Sequence, residues 1–387
     1  MKNIIVLGAT GSIGDSVLSV IKQNENKLNL HGISFGLNIT KAEKIINEFK
    51  LKNIYSDSTD TSKYLKNKFK DNTELNILSD KYELEELLNS DSVDIIVSAV
   101  SGFAGLESTL IAAKTGKTIL LANKESVVVA GEIVLPLAKK HNTQIIPIDS
   151  EHNAIFQCLN SDKKTDDVSK IIITASGGPF LNRSISELSK VTKDEALNHP
   201  NWEMGAKITI DSASLVNKCL ELIEARYLFN LNESFFDIVV HPQSIIHSIV
   251  TYKDGSSLCQ MSNPDMRVPI AHALSVNESR LSVDFSEIDF SSLNLTFQEI
   301  PQDRTQIFNI ARYVCSHGGS SGIVFNAANE VAVKSFLEEQ ITFDKIYEVI
   351  YRTFDIIPMS KNLNIESIYE IDNQTRIEAK KVVKSVS

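Results

Sequence analysis

Apolar residues in the first 150 positions fall into short runs separated by segments with helical spacing. The runs are β-branched and nearly continuous, which is typical of strands buried on both faces. They predict strands at Asn3–Leu7, Leu30–Phe35, Asn53–Ser56, Val93–Val100, Thr118–Ala122 and Gln144–Ile148. Ile45, Ile46 and Phe49 have helical spacing, and the polar segment Lys63–Asp80 predicts an outer helix and a solvated loop. Repeated βαβ units predict an α/β protein whose residues 1–149 form a Rossmann-like, doubly wound parallel sheet.

The pattern changes after this sheet. Residues 150–274 mix strand and helix signals and predict a central α+β catalytic domain. Its predicted strands are Ile171–Ala175 and Phe236–Val240, with a hairpin over Tyr252–Met261. Residues 275–303 have few helical signals and predict an extended linker, whereas residues 304–387 predict a C-terminal helical bundle. Two stretches there have the spacing of a buried helix face: Ala327, Ala328, Val331, Ala332 and Phe336, and then Phe343–Ile356.

Composition and charge narrow the class of protein. With 42% hydrophobic and 23% charged residues, the 387-residue chain has ordinary globular composition. The 39 Lys+Arg residues against 49 Asp+Glu residues give a formal charge of −10, so nucleic acid is not expected as a partner. No signal peptide and no bilayer-spanning run is visible, so no membrane partner is expected either.

The cysteines predict no disulfide framework and no zinc site. Cys158, Cys219, Cys259 and Cys315 are far apart, and none forms a C-x-x-C pair. We therefore expect small core residues in a reducing, cytoplasmic compartment.

A glycine-rich turn follows the first predicted strand. Gly8-Ala9-Thr10-Gly11-Ser12-Ile13-Gly14 precedes a helix predicted from about Asp15. A turn in this context brings the backbone close to a pyrophosphate at a helix N-terminus. The glycines alone could also mark an ordinary turn, but the βαβ context favours dinucleotide binding.

The end of the second predicted strand bears on which dinucleotide binds. NAD-binding units usually place an acidic residue there for the ribose 2′-OH. This chain has Gly36-Leu37-Asn38, so no carboxylate would repel a 2′-phosphate, and NADP is favoured. The alternative is that these residues only form a turn.

Carboxylates follow the last predicted strand of the first sheet. In Asp149-Ser150-Glu151 the two acids are two residues apart, so continued strand geometry would point both to one side. Paired carboxylates favour a hard cation, Mg²⁺ or Mn²⁺, although such a pair is more often part of a solvated loop.

A third carboxylate comes from a later predicted helix. Asp211 or Ser212 is a candidate N-cap, and Asn217, Glu221 and Glu224 then share a helical face beside Lys218. Ser212 at a helix N-terminus with Asn217 and Lys218 would form an anion grip. The alternative is an ordinary surface helix.

Residues 198–205 have the composition of a substrate lid. Asn198-His199-Pro200-Asn201-Trp202-Glu203-Met204-Gly205 contains the only tryptophan and ends in glycine. The alternative is that Trp202 anchors a loop onto the core. The same two interpretations apply to His241 and His247, which are either site residues or buried, hydrogen-bonded core histidines.

An ordered set of motifs over nearly the whole chain resembles the 1-deoxy-D-xylulose 5-phosphate reductoisomerase family. The motifs are G-A-T-G-S-I-G from Gly8, L-A-N-K-E-S from Leu121, D-S-E-H-N-A-I-F-Q from Asp149, S-G-G-P-F from Ser176, H-P-N-W-E-M-G from His199, N-K-C-L-E from Asn217, H-P-Q-S-I-I-H-S from His241, P-D-M-R-V-P-I-A-H from Pro264 and N-A-A-N-E from Asn326. Two departures stand out: Leu37, near which many relatives have Lys or Arg, and Glu203 in the lid segment.

The resemblance implies a role for each matching residue. Cofactor-binding residues would be Thr10, Gly11, Ser12, Ile13, Gly36, Leu37, Asn38, Asn123, Glu125, Gly205 and Met266. Asp149, Glu151 and Glu221 would ligate Mg²⁺ or Mn²⁺. Substrate-binding residues would be Lys124, Ser150, Glu151, Ser176, His199, Trp202, Met204, Ser212, Asn217, Lys218 and Glu221. Glu151 and Lys124 are the candidates for proton transfer, with a metal-bound water as the alternative.

The resemblance also implies the reaction. The family rearranges 1-deoxy-D-xylulose 5-phosphate by retro-aldol and aldol steps and reduces the product with NADPH to 2-C-methyl-D-erythritol 4-phosphate, for isoprenoid synthesis. A homodimer is the expected assembly. The main alternative is another NAD(P)-dependent sugar-phosphate oxidoreductase, which would lack some of Ser176, Ser212, Asn217 and Lys218. A non-catalytic protein that retains the cofactor fold is a further alternative, and it would have damaged metal ligands.

Overall fold

The computed structural model describes residues 1–159 and 164–387. Within them the strands are β1 (Lys2–Leu7), β2 (Leu28–Ser34), β3 (Asn53–Tyr55), β4 (Asn76–Leu78), β5 (Ile95–Ser98), β6 (Thr118–Leu121), β7 (Gln144–Pro147), β8 (Val168–Ala175), β9 (Phe236–Val240), β10 (Ile246–Tyr252) and β11 (Ser257–Met261). The helices are α1 (Ser12–Gln23), α2 (Ile39–Phe49), α3 (Thr59–Lys68), α4 (Lys81–Asn89), α5 (Leu106–Ala112), α6 (Lys124–Lys140), α7 (Ser150–Cys158), α8 (Ile185–Leu188), α9 (Lys193–Leu197), α10 (Ala206–Ala213), α11 (Val216–Leu228), α12 (Arg267–Leu274), α13 (Gln306–His317), α14 (Ser321–Leu337), α15 (Lys345–Ile356) and α16 (Ile365–Val386).

The chain divides into two compact units, each built from separate segments. Unit 1 comprises Met1–Asn123, Val134–Asp149 and Met266–Phe285. Unit 2 comprises Lys124–Ile133, Ser150–Asp265 and Ser286–Ser387. Each unit therefore consists of three separate segments of the chain. The domain boundaries at 149, 274 and 303 stay a prediction.

Unit 1 contains the predicted doubly wound sheet. Its strand order is β4-β3-β2-β1-β5-β6-β7, and every pair is parallel. β1 lies in the middle, and Ile4, Ile5, Val6 and Leu7 are completely buried, as expected for a strand covered on both faces. The six predicted strands are confirmed to within two residues at each end.

One strand of this sheet was missed. The segment Lys63–Asp80 was predicted as helix and loop, but it contains β4 as well as the end of α3. β4 is an edge strand of three residues, Asn76-Ile77-Leu78, and none of them is fully buried. Three residues are too few to show a detectable alternation of apolar and polar positions.

The segment that contains α12 packs inside unit 1. The Lys2 ammonium donates to the Leu274 carbonyl at 3.2 Å, and the Asn24 amide donates to the Ser282 carbonyl at 2.8 Å. The backbone N–H of Asp284 donates to the Gln23 side chain at 2.6 Å. Residues 275–285, predicted as the start of a linker, are therefore tied to β1 and α1.

Unit 2 is built around a four-stranded mixed sheet with helices packed against it. The strand order is β11-β10-β8-β9, with β8 and β9 parallel and the other pairs antiparallel. The predicted hairpin is confirmed as β10 and β11, although β10 begins six residues earlier than Tyr252. The predicted C-terminal helices are confirmed as α13 to α16, and the predicted buried face of α14 lies in the core of this unit.

Three of the four cysteines, Cys158, Cys219 and Cys315, are core residues as predicted. Cys259 is the exception, because it is exposed on β11 at the edge of the sheet. No helix in the described ranges is long and apolar enough to cross a membrane.

Candidate active site

Two of the predicted metal ligands lie where β7 passes into α7. The strand ends at Pro147 and the helix begins at Ser150, so Asp149 precedes the helix and Glu151 lies in its first turn. The prediction that strand geometry continues through Glu151 is wrong. Ser150 donates its hydroxyl hydrogen to Glu151 Oε2 at 2.6 Å, which fixes the orientation of that carboxylate.

The third predicted ligand, Glu221, lies on α11 and meets the other two. One carboxylate oxygen each of Asp149, Glu151 and Glu221 lies within 4.8 Å of the others. Asp149 is joined directly to Ser150, so the covalent chain itself holds it beside Glu151. Glu221 is 1% exposed, and the interpretation of α11 as an ordinary surface helix is therefore wrong.

Two lysines complete this cluster. Lys218 Nζ lies 2.6 Å from Glu151 Oε1 and 2.6 Å from Glu221 Oε2. Lys124 Nζ donates to Asn217 Oδ1 at 2.9 Å and lies 3.2 Å from Glu221 Oε1. Counted over these five described groups alone, three carboxylates and two ammonium groups have a formal charge of −1. The all-oxygen donor set and this charge both fit a hard divalent cation.

Sequence reasoning missed the groups that orient these carboxylates. His152 Nε2 lies 2.9 Å from the carbonyl oxygen of Glu221, and His152 Nδ1 lies 3.0 Å from Glu224 Oε2. Ser248 donates its hydroxyl hydrogen to the carbonyl of Glu151 at 3.0 Å. The buried histidine and Glu224 thereby link α7 to α11. The signal was available, since His152 is adjacent to Glu151 and Glu224 is three residues after Glu221.

Ser212, Asn217 and Lys218 of the predicted anion grip lie at the end of one helix and the beginning of the next. Ser212 lies in the last turn of α10, and α11 starts only at Val216 after Leu215 in the left-handed conformation (φ 63°). The predicted N-cap at Asp211 or Ser212 is therefore wrong. Asn217 and Lys218 do lie in the first turn of α11.

Ser176 reaches the same place through a glycine pair. Gly178 has φ +64°, and a Cβ there would lie 2.9 Å from Ala213 Cα and 3.1 Å from the Ser212 carbonyl oxygen. Only glycine lets the loop after β8 lie this close to the end of α10. Gly178, two residues after Ser176, therefore lies directly beside Ser212 and Ala213.

The predicted lid residue His199 contacts this loop. Its Nε2 lies 2.9 Å from Ser176 Oγ, and its Nδ1 accepts the backbone N–H groups of Asn201 (3.2 Å) and Trp202 (3.1 Å). Because Nδ1 accepts, the proton belongs on Nε2, and His199 donates to Ser176. Burial, with a smaller contribution from the nearby Lys218 charge, lowers the pKa of His199 to about 4.

The remainder of the lid segment folds back on unit 2. The Asn201 amide donates to the Pro242 carbonyl at 2.7 Å and to Ser244 Oγ at 3.0 Å. The Trp202 ring packs edge-on against His247, with centroids 5.9 Å apart. These contacts are compatible with both interpretations of Trp202, as a lid and as an anchor. Met204 is half-buried, whereas Glu203 and Gly205 are exposed.

Glu125 belongs to a buried ionic network that the sequence did not reveal. Lys207 Nζ lies 2.6 Å from Glu125 Oε1 and 2.8 Å from Asp211 Oδ2, and Asn329 donates to Asp211 Oδ1 at 2.8 Å. Burial tends to raise the pKa of Glu125, but the Lys207 ammonium outweighs it and lowers that pKa. The pKa of Asp211 is raised, because burial outweighs the same ammonium there. The i, i+4 spacing of Lys207 and Asp211 was the only hint in the sequence.

The glycine-rich turn in unit 1 has the predicted form. Gly8 has φ +87°, and a Cβ there would lie 2.6 Å from the Ala99 carbonyl oxygen, so only glycine fits. The helix begins at Ser12, three residues earlier than predicted, with Gly11 as its N-cap. Thr10, Gly11, Ser12 and Ile13 therefore surround a helix N-terminus, and Gly11 and Ser12 are exposed.

The adenosine end of the predicted cofactor site lies beside this turn. The backbone N–H groups of Gly8 and Ala9 donate to the Ser34 carbonyl at the end of β2, at 3.1 and 2.9 Å. Gly36, Leu37 and Asn38 follow, and all three are exposed. Asn38 caps α2 by accepting the Lys41 N–H at 3.0 Å. They form an exposed bend between β2 and α2, which is open to a ligand.

Two further residues predicted to bind the cofactor lie in unit 1. Asn123 is buried in unit 1, and its amide donates to the carbonyls of Val100 (2.7 Å) and Gly102 (2.9 Å). Met266 precedes α12 in unit 1 and is half-buried.

The interpretation of His241 and His247 as core histidines is confirmed. His241 is fully buried, with Nδ1 2.8 Å from the Thr296 carbonyl and Nε2 accepting the Ile245 N–H at 3.2 Å. His247 Nε2 lies 3.0 Å from Ser262 Oγ, and burial lowers the pKa of this imidazole.

Three family models match the chain. A 1-deoxy-D-xylulose 5-phosphate reductoisomerase model matches residues 4–131. The model of the 1-deoxy-D-xylulose 5-phosphate reductoisomerase C-terminal domain matches residues 145–229, and a DXP reductoisomerase C-terminal domain model matches residues 261–378.

Curated relatives match over almost the full chain. The 1-deoxy-D-xylulose 5-phosphate reductoisomerase of Vesicomyosocius okutanii is 43% identical over 378 residues, which is 97% of both chains. The protein of the same name from Francisella tularensis subsp. holarctica is 44% identical over 377 residues, 96% of each chain.

Solved structures match equally far. A DOX-P reductoisomerase in complex with NADPH, fosmidomycin and magnesium has a TM-score of 0.92 at 40% identity, covering 99% of this chain and 98% of that one. The Zymomonas mobilis 1-deoxy-D-xylulose 5-phosphate reductoisomerase in complex with NADPH has a TM-score of 0.91 at 38% identity, covering 99% of each chain.

Proposed function

We propose the function of this chain from one premise: it belongs to the 1-deoxy-D-xylulose 5-phosphate reductoisomerase family. On this premise it is an NADPH- and divalent-metal-dependent enzyme that converts 1-deoxy-D-xylulose 5-phosphate to 2-C-methyl-D-erythritol 4-phosphate in isoprenoid precursor synthesis. The observation that carries the proposal is the cluster of three carboxylates and two lysines built from Asp149, Glu151, Glu221, Lys124 and Lys218.

Asp149, Glu151 and Glu221 would hold Mg²⁺ or Mn²⁺. Bound there, the cation would polarise the substrate carbonyl and stabilise negative charge that develops on its oxygens. Ser150 and His152 support this role, because the serine orients the Glu151 side chain and the histidine contacts the Glu221 backbone.

Lys124 and Glu151 are the groups that we propose for proton transfer. Lys124 Nζ already donates to Asn217 and lies beside Glu221, so its proton is directed into the carboxylate cluster. Glu151 shares a contact with Lys218 and accepts from Ser150, which leaves it oriented for hydrogen bonding to the substrate. Both side chains are largely shielded from water, which strengthens their electrostatic interactions with bound substrate.

The substrate phosphate would bind to Ser176, Ser212, Asn217, Lys218 and His199. Lys218 supplies positive charge, and the serine hydroxyls and the Asn217 amide supply hydrogen-bond donors. His199 is neutral at physiological pH, because its pKa is about 4, and acts as a donor through Nε2–H. Another sugar-phosphate oxidoreductase was expected to lack some of Ser176, Ser212, Asn217 and Lys218. All four are present in this chain, so that alternative is not favoured.

The lid and the cofactor residues complete the proposal. Trp202 and Met204 would cover the substrate and limit access of water. NADPH would supply the hydride. Its pyrophosphate would lie on the turn at Thr10, Gly11, Ser12 and Ile13, its adenosine end beside Gly36, Leu37 and Asn38, and the remainder along Asn123, Glu125, Gly205 and Met266. The exposed helix N-terminus at Ser12 supports the pyrophosphate position.

Two further statements belong to the proposal. We propose a homodimer, with β11 as part of the interface, because β11 is an edge strand of its sheet and Leu258 on it is 50% exposed. We also propose a cytoplasmic location, because the four cysteines are far apart in the sequence and none forms a C-x-x-C pair.

The test uses the purified, metal-stripped protein. NADPH oxidation is followed by near-ultraviolet absorbance after 1-deoxy-D-xylulose 5-phosphate is added with and without Mg²⁺ or Mn²⁺, and the product is identified by mass spectrometry and NMR. We expect oxidation only with both substrate and metal, and formation of the branched polyol phosphate. A folded protein that binds cofactor but oxidises it under none of these conditions refutes the proposed reaction.

A further inference from the structure

The end of β2 presents an unusual surface for a site proposed to bind NADPH. Leu37 is 96% exposed, and the position of a Cβ at Gly36 has no atom of the described chain within 4 Å. A leucine in solvent contributes no charge, and a Rossmann unit that prefers NADP needs a cation near the end of this strand for the 2′-phosphate. The three residues that follow the strand do not provide that cation.

Lys41, three residues after Asn38, is the next cationic residue along the chain. It lies in the first turn of α2, and its backbone N–H donates to Asn38 Oδ1, the cap of the helix. Its side chain leaves α2 and reaches the glycine-rich turn, where Nζ donates to the Thr10 carbonyl at 3.0 Å and to Asp15 Oδ2 at 2.6 Å. The ammonium therefore lies between the cap of α2 and the pyrophosphate turn.

The contacts of Lys41 leave it able to bind a further anion. An ammonium has three N–H donors, and the described residues provide two acceptors, Thr10 and Asp15. The side chain is 28% exposed, so it is held in place but not closed off from solvent. Asp15 is itself 57% exposed, so solvent and salt screen the charge of its carboxylate.

From this geometry we propose that Lys41 supplies the cation for the NADPH 2′-phosphate in this chain, and that it compensates for the uncharged Leu37. The inference rests on the proposed NADPH dependence and adds the residue that makes the 2′-phosphate favourable. Lys41 is thus a specificity-determining residue, and Asp15 and Thr10 hold its side chain in position.

The experiment measures binding rather than turnover. NADPH and NADH, which differ only in the 2′-phosphate, are titrated by calorimetry into the full chain without metal or substrate. Lys41→Met is compared with Lys41→Arg, which keeps the charge, and with Lys44→Met. Lys44 is the matched control because it lies on the same helix three residues later and is exposed.

We expect Lys41→Met to weaken NADPH binding about tenfold and to leave NADH binding within about twofold, as for the loss of one charge-assisted hydrogen bond. Lys41→Arg and Lys44→Met should keep the wild-type preference. Leu37→Lys added to Lys41→Met should restore NADPH binding, and added salt should reduce the wild-type preference.

Three results would overturn the inference. If Lys41→Met keeps the full preference for NADPH, the cation is elsewhere and the proposed function stands. If Lys41→Met loses both cofactors equally, Lys41 is a general structural residue of the turn. If the wild-type chain itself does not discriminate, the proposed NADPH dependence fails together with the inference.

Discussion

Glu221 is the carboxylate on which most of the proposed chemistry converges. It contacts Lys124, Lys218 and Asn217, and it is nearly inaccessible to solvent. Its charge is therefore balanced by neighbours that are themselves proposed to bind substrate. Replacing one oxygen by an amide nitrogen keeps the shape of the side chain and removes the charge, which isolates the metal-binding role.

For Glu221→Gln we expect turnover to fall about 1000-fold or more, because Lewis-acid stabilisation by a bound cation is worth several kcal/mol. NADPH binding and the circular dichroism spectrum should be preserved. Steady-state kinetics with Mg²⁺ and Mn²⁺ provides the measurement, and Glu338→Gln, at an exposed surface pair, is the control. Unchanged turnover would remove Glu221 from the metal site.

His199 makes the lid segment sensitive to acid. Its pKa is about 4 in the folded chain against an ordinary value of 6.5, so the folded state binds fewer protons than the unfolded state between these values. Stability from this residue is thus fully present above pH 6.5 and decreases as the pH falls towards 4. Protonation of Nδ1 also removes the acceptor for the backbone N–H of Trp202.

We expect the fluorescence of Trp202, the only tryptophan, to shift to longer wavelength as the pH is lowered through this interval. In His199→Gln the shift over the same interval should be absent, whereas His141→Gln, at an exposed position, should behave like wild type. An identical titration in His199→Gln would show that other groups control the lid.

Chemical type was predictable from single residues, whereas their geometry was not. The sequence identified the three carboxylates, because an Asp-x-Glu pair after a strand and a Glu on a polar helix face are visible in one dimension. It could not reveal that α7 begins at Ser150, because the pleated and helical continuations give similar apolar spacing over three residues. Lys207 was missed because its partner Glu125 lies 82 residues earlier in the chain.

At the scale of elements, the Lys207 network ties three helices of unit 2 together. Lys207 and Asp211 lie on α10, Glu125 lies in the first turn of α6, and Asn329 lies on α14. Glu125 and Asp211 are 8% and 1% exposed, so the ammonium is what compensates two buried carboxylates. The same contacts hold the position of α10, the helix that follows the lid segment, and that of Glu125, the neighbour of Lys124 in the chain.

Lys207→Met should lower the free energy of unfolding of unit 2 by about 3 kcal/mol, because it leaves buried carboxylates uncompensated. Urea denaturation measures the effect, and adding Glu125→Gln and Asp211→Asn should recover part of it. Lys334→Met, which removes an exposed i, i+4 pair, should change stability by less than about 0.5 kcal/mol. Equal effects of the two lysine substitutions would contradict a stabilising role for the network.

The elements that sequence reasoning missed lack the usual signals. β4 has only three residues, too few to show alternation. The break between α10 and α11 is made by Leu215 in a left-handed conformation, where glycine or asparagine would have been a recognisable signal in the sequence. Leu215 is 2% exposed, so burial of its side chain compensates for the backbone strain. The long apolar strands of the first sheet were predicted well because burial on both faces gives a continuous pattern.

At the scale of the whole molecule, the proposed homodimer is expected to form through the edge strand β11. Leu258 and Cys259 are exposed on a strand that has one neighbour in its sheet among the described residues. We propose a second copy of the chain as the occupant of this edge, since burying it there would remove apolar surface and unpaired backbone groups from water.

We expect sedimentation equilibrium to show a dimer, and Leu258→Lys to raise its dissociation constant at least about tenfold, as a buried lysine would oppose association. Ile356→Lys, at an exposed apolar residue of α15, is the control and should leave the dimer unchanged. A wild-type monomer would refute the dimer, and an unaffected Leu258→Lys dimer would place the interface elsewhere.

The interleaving of the two units has a consequence for biosynthesis. The ribosome synthesises the chain from the N-terminus to the C-terminus. All seven strands of the parallel sheet have therefore been synthesised once Pro147 has emerged. The segment Met266–Phe285, whose contacts tie it to β1 and α1, is translated more than a hundred residues later. One surface of α1 therefore stays exposed in the nascent sheet until Met266–Phe285 has been synthesised, after more than half of unit 2. A pause in translation after residue 149 would prolong that exposure. If the chain were instead expressed as two halves divided after residue 149, the first half would lack Met266–Phe285 of unit 1 and the second would lack Lys124–Ile133 of unit 2.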